Sequence, residues 1–182
     1  MLQLQQRRKT IIDTTKGDVM VRTVNSYPLQ VLLVLLALVF VVAAPVSADD
    51  GYEKQKVVYH VNYYGPKQQA GALRNVQNHI NAVGAENLDL AVVMHGNGVA
   101  MLLYPDSLAD TKMKEANADD QMQARIAGLK QQGVEFKVCA NTLKGRNVAI
   151  DDLYDVDESD IVPSGVAELS KLQGQGYTYI KP

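Results

Sequence analysis

The stretch Gly71–Gly98, "GALRNVQNHINAVGAENLDLAVVMHGNG", carries two periodicities in succession. In its first half Leu73, Val76, Ile80 and Val83 recur at helical spacing until Gly84 stops the run. In its second half Leu88–Met94, "LDLAVVM", is apolar almost without alternation, the pattern of a strand covered on both sides. The same grammar extends outward. Upstream, Lys56–Tyr63, "KVVYHVNY", is β-branched and aromatic and reads as a strand. Downstream, "HGNGVAMLLYPDS" begins as a glycine turn, and its apolar part predicts a short helix broken near Pro105. Met122, Ile126 and Leu129 form the next helical stripe, capped by Asp119 or Asp120 and stopped by Gly133. Val134–Cys139 is a third strand and "NTLKGRN" a loop, while Val148–Leu153 fits either a short helix or an edge segment. Ile161–Val162 is a short fourth strand. Ser164 caps a last helix through Val166, Leu169 and Leu172 to Gly174, and "GYTYI" supplies the final strand. Apolar strands alternating with amphipathic helices predict an α/β fold. It is a single compact domain with a central, mostly parallel sheet of about five strands and helices on both faces.

The chain has 182 residues, 47% hydrophobic and 21% charged, an ordinary globular composition. Its first 48 residues stand apart. Val31–Ala44, "VLLVLLALVFVVAA", is an unbroken apolar run preceded by Arg22 and followed by "PVSADD", with Val46 and Ala48 as small residues before Asp49. A basic start, a short apolar core and an A-x-A-like end describe a secretory signal over residues 1–48. A start at Met20 would make that signal a compact 29 residues. The expected location is the periplasm. The alternative is an uncleaved inner-membrane anchor, for which the run is short, since a span needs about 20 apolar residues. The remaining domain, residues 49–182, holds 13 basic and 18 acidic residues, a formal charge of −5. That balance argues against a phosphate-backbone binder, and no nucleic-acid partner is expected.

In an open parallel sheet, ligands gather beyond the carboxyl ends of the strands. The first strand ends at Asn62, Tyr63 and Tyr64. The second ends at His95, Gly96, Asn97 and Gly98, and the third at Cys139 with Asn141 and Thr142 following. The fourth ends at Pro163 and Ser164. Cys139 is the only cysteine, an odd free thiol for an oxidising compartment. It is either a small buried hydrophobe or a reactive thiolate at a strand end. His95 is its natural proton partner, and Gly96–Gly98 would form a nest of N–H groups for an anion. The candidate catalytic residues are therefore Cys139 and His95, and the candidate ligand-binding residues Asn62, Asn97, Gly98, Asn141 and Ser164. His60, inside its strand, reads as a satisfied core histidine, and His79 as solvated on its helix flank. No ligand pair has metal spacing, so neither a metal site nor a cofactor is assigned. Asp151–Asp160, "DDLYDVDESD", lacks the glycine and closing glutamate of a calcium loop and reads as a solvated acidic loop.

"GVEFKVCANTL" and "VPSGVAELSKLQGQGYTYIKP", with "VVYHVNY" and "MHGNGVAMLL", resemble the DsrE/DsrF-like family of small sulfur-handling proteins over about residues 55–182. The resemblance implies a compact α/β fold and assembly into homo-oligomers, trimers or hexamers. It also implies, for several members, sulfur carried as a persulfide in a relay between proteins. Carried over, the sulfur-bearing residue would be Cys139 in "KVCAN". Two functions stay open. One is an exported sulfur carrier, sulfurtransferase or thiol-redox protein working with an external thiol or a sulfur donor or acceptor protein, since no second cysteine exists to resolve a disulfide. The other is a non-catalytic binding or assembly module with Cys139 packed inside, for which Tyr63, Tyr64 and Met101–Tyr104 would be interface anchors. Membrane contact is expected only through an uncleaved signal segment.

Overall fold

The computed structural model describes residues 8–11, 22–25 and 51–182. Within residues 1–49, two short strands, β1 (Arg8–Ile11) and β2 (Arg22–Asn25), pair antiparallel. The apolar run Val31–Ala44 lies outside the described residues, and no described helix is long and apolar enough to cross a membrane.

The second unit, residues 50–182, runs β3 (Gln55–Val61), α1 (Pro66–Val83), β4 (Leu88–Met94), α2 (Asp120–Gln131), β5 (Glu135–Cys139), α3 (Ala140–Arg146), β6 (Ile161–Val162), α4 (Gly165–Gly174) and β7 (Thr178–Ile180). The sheet order is β6-β5-β4-β3-β7, and every neighbouring pair is parallel. The helices begin where local chemistry allows. Pro66 opens α1, where its missing N–H is no loss, and the Asp119 carboxylate accepts from Met122 N–H at 2.8 Å to open α2.

Strand alternation divides the sheet into two unlike faces. Val57, Tyr59 and Val61 of β3, Leu90, Val92 and Met94 of β4, and Phe136 and Val138 of β5 point to one face. There they pack with Leu73, Val76 and Ile80 of α1 and Met122, Ile126 and Leu129 of α2. On the other face Val58, Ala91 and Val93 meet only Leu169 and Leu172 of α4, with Tyr177 at the edge. Helices thus cover both faces, as the sequence pattern predicts.

Three local expectations change. "NTLKGRN" is not a loop: it forms most of α3, held by buried Leu143 and closed by Asn147 in the left-handed region (φ 54°), a conformation asparagine tolerates. Its weak helix formers are overruled by packing. Val148–Leu153 resolves both ways at once, a 3₁₀ turn at Ile150–Asp152 followed by an antiparallel bridge from Leu153 to Leu103. The expected helix after the glycine turn is two 3₁₀ segments, Gly96–Met101 and Pro105–Asp110. Met101, Leu102 and Leu103, expected as exposed interface anchors, are fully buried in the large core. Among the described residues, the large apolar side chains that stand in solvent are instead Val166 and Tyr179, 64% and 40% exposed, with Tyr52.

Candidate functional site: a thiol and two histidines on one rim

Met94 pairs with Val138, so His95 and Cys139 are the next step beyond that pair, side by side at the carboxyl ends of β4 and β5. Neighbouring strands lie about 4.8 Å apart, and alternation turns both side chains to the α4 face. His60 of β3 shares that face, two residues from Val58. The first residue of α4, Gly165, closes the pocket. A Cβ there would lie 2.9 Å from the Cβ of His95 and 3.3 Å from the Cβ of Cys139, so only glycine lets the helix start against the pair.

Cys139 is 5% exposed. Burial by itself raises its pKa, but four hydrogen bonds oppose that and the net direction is downward. The lowering comes from the Gly165 N–H, the Thr142 hydroxyl, and the N–H groups of Thr142 and Asn141, which favour the thiolate. Thr142 is itself held, because its Oγ1 accepts from the Gly96 N–H at 2.8 Å. The segment after β4 therefore holds a residue that belongs to the first turn of α3, after β5.

The imidazoles of His60 and His95 meet through Nε2 at 2.7 Å, with their rings 24° from parallel. The far nitrogen of His60, Nδ1, lies 2.6 Å from the Tyr179 hydroxyl of β7. Burial, the His95 neighbour and Lys181 together lower His60 to about 4, and burial and Lys181 lower His95. Both rings are neutral at pH 7, so one Nε2 donates and the other accepts.

Of the residues expected here, the structure brings together His95, Cys139 and the backbone of Asn141. The other candidates have different roles. Gly98 does not offer a ligand nest. It is buried, its N–H donates to the His95 carbonyl at 3.0 Å, and a Cβ would sit 2.0 Å from the Val61 carbonyl oxygen. The Gly96 N–H is spent on Thr142, so the expected anion nest has two of its donors committed. Asn97 accepts from the Arg146 guanidinium at 3.3 Å, and the Ser164 hydroxyl accepts from the Ala167 N–H as the cap of α4. Asn62 stands half-buried just past β3, and the side chain of Asn141 is exposed. His79 is not simply solvated, since Tyr59 and Gln55 bond its two nitrogens at 3.1 and 2.9 Å. His60 is buried and satisfied as expected, yet its partners make it part of the rim. Residues that sequence reasoning missed are His60, Thr142, Gly165, Tyr179 and Lys181. Alternation within strands was the available signal for His60.

Beyond the rim, the acidic loop is pinned by Lys130, whose ammonium lies 3.2 Å from the Asp155 carboxylate and 3.5 Å from that of Asp160. Among the described residues, no group of three or more His, Cys, Asp or Glu is arranged to hold a metal ion. An open depression of about 780 Å³ between the Tyr104–Ser107 turn and the start of α2 shares no residue with the thiol pocket.

The family model described as the DsrE/DsrF-like family matches residues 56–182, which include every residue of this pocket. The chain belongs to the DsrE/DsrF-like family. This DsrE/DsrF-like domain is similar to a protein of unknown function from Methanobacterium thermoautotrophicum, MTH1491, at 27% identity and a TM-score of 0.56, over 70% of this chain and 99% of that one. Its fold is also that of the ychN protein from E. coli, with 18% identity, a TM-score of 0.50, and 72% and 100% of the two chains covered. No curated protein matches the DsrE/DsrF-like chain.

Proposed function

We propose that the protein is a sulfur carrier in which Cys139 holds a sulfane sulfur between a small donor and an acceptor thiol. The Cys139 thiolate attacks the outer sulfur of a persulfide or polysulfide. A sulfur–sulfur bond forms to Cys139, the donor's sulfur–sulfur bond breaks, and its electron pair leaves on the donor thiolate. An acceptor thiolate then attacks the outer sulfur of the Cys139 persulfide and expels Cys139 as thiolate, so no net oxidation occurs. His95 takes up and returns the proton of Cys139. In this proposal the domain works as a homo-oligomer, exported behind the apolar segment at 31–44.

The observation that carries the reading is Cys139 beside His95 at the strand ends, against the Gly165 start of α4, among donors that draw its pKa down in spite of burial. A thiol packed only to fill space needs none of them, because a neutral S–H accepts weakly. Its low exposure is the feature that favours the packed-thiol alternative. The deciding measurement is the pH dependence of Cys139 alkylation, read by intact mass before and after inorganic polysulfide, with Cys139→Ser as control. Rapid alkylation below the usual thiol range, and an added mass of one sulfur on the wild type alone, support the carrier. A thiol that reacts only on unfolding would end this reading in favour of a binding or assembly module.

A further inference from the structure

We propose that Tyr179, His60 and His95 form a proton relay joining solvent to the Cys139 pocket. The inference rests on the thiol chemistry above and assigns two further residues to it, neither of which touches the sulfur. Three strands supply the relay, β7, β3 and β4, and two hydrogen bonds join its members. The Tyr179 hydroxyl is 2.6 Å from His60 Nδ1, and His60 Nε2 is 2.7 Å from His95 Nε2. Tyr179 is 40% exposed and His60 7%, while His95 is half-buried. His95 then stands beside Cys139 in the sheet register.

The proton balance follows from the two nitrogens of each ring. His95 receives the Cys139 proton at Nδ1 and releases the one on Nε2 to His60 Nε2. His60 releases the one on Nδ1 to the Tyr179 oxygen, and Tyr179 gives its own hydroxyl proton to water. Every ring ends neutral with one N–H, in the other tautomer. The departing donor thiolate takes a proton from solvent. When the acceptor expels Cys139, the sequence runs backwards and resets both tautomers.

Such exchange requires neutral rings, because an imidazolium has no vacant nitrogen to accept. The groups facing the two rings favour that state. Lys181 follows the Tyr59–Ile180 pairing step and so lies beside His60, adding its positive charge to the effect of burial. From α4 the neighbouring residues Ser164 and Gly165 carry no charge, and Glu168 is paired to Lys171 at 3.0 Å. A pair placed only to fill space would not need a tyrosine at the protein surface as its third member.

The test uses the full chain with glutathione persulfide as donor and a small thiol as acceptor. Tyr179→Phe is expected to slow transfer about tenfold at pH 7, at the low end of proton-transfer catalysis. The pH dependence of Cys139 alkylation should stay unchanged, and added imidazole buffer should restore the rate. Transfer at the wild-type rate, or a slow variant that imidazole fails to restore, would overturn the relay. Nitrogen-15 NMR of the ring nitrogens reads it independently of sulfur chemistry. Wild type should show His60 and His95 neutral and exchanging between tautomers at pH 7, with Tyr179→Phe shifting both toward one tautomer. A protonated ring, or tautomers indifferent to Tyr179→Phe, would sink the relay whether or not Cys139 loads sulfur. Exchanging tautomers on a chain that loads no sulfur would instead leave the relay standing and remove the carrier.

Discussion

Alternate residues of the same three strands build two different surfaces. On the α1–α2 face, Val57, Tyr59, Val61, Leu90, Val92, Met94, Phe136 and Val138 are buried in one continuous apolar cluster. On the α4 face the apolar part stops at Val58, Ala91 and Val93, and the next row toward the strand ends is His60, His95 and Cys139. One face carries the stability of the domain, and the other carries its polar chemistry on the support of the first. That division places a hydrogen-bonded histidine pair and a buried thiol at the strand ends without breaking the core, because each histidine has a partner within reach.

The largest expected effect tests the supporting face. Phe136 is 1% exposed, and Phe136→Ala should destabilise the domain by about 3–5 kcal/mol in chemical denaturation. Cys139→Ser on the other face should leave stability nearly unchanged, and comparable losses from the two would erase the contrast.

Acid should find the polar face next. His60 sits at about 4 in the folded chain against 6.5 in the unfolded one. Between those values the unfolded chain binds the proton and the folded chain does not. Stability is therefore complete above pH 6.5 and falls as the pH drops toward 4, by about 2–3 kcal/mol. His95 and His79, also lowered, add in the same direction. His60→Gln should remove part of that slope in denaturation midpoints measured across the range. An unchanged slope would mean that the pair is not held neutral.

Gly165→Ala should cost about 1–2 kcal/mol, because the new methyl meets His95 and Cys139 at the start of α4. It should also raise the Cys139 pKa by moving the Gly165 N–H away, which alkylation against pH would read. The smallest effect is expected from Thr142→Val, about 1 kcal/mol or less from a lost hydrogen bond. Its signature is several-fold slower alkylation of Cys139 near neutral pH, since the hydroxyl that favours the thiolate is gone. Equal alkylation rates would take Thr142 out of the site.

The elements of this protein were legible in its sequence because the forces that start and stop them act over a few residues. Leu88–Met94 is a strand from end to end, Asp119 and Ser164 cap their helices, and Gly84 ends α1. The rim that gathers Cys139 and His95 was legible too, because parallel strands bring all their carboxyl ends to one edge. Register was not legible, since it depends on packing between strands distant in sequence. Only the pairings of Met94 with Val138 and Val58 with Tyr179 bring His60, Tyr179 and Lys181 to the thiol's side of the sheet. The same holds for α3, whose weak helix formers gave no local signal until Leu143 was buried and Thr142 found Gly96. Local periodicity determined which segments are strands and helices. Tertiary contact decided which side chains face the sulfur, because that choice is made between residues 35 to 119 positions apart.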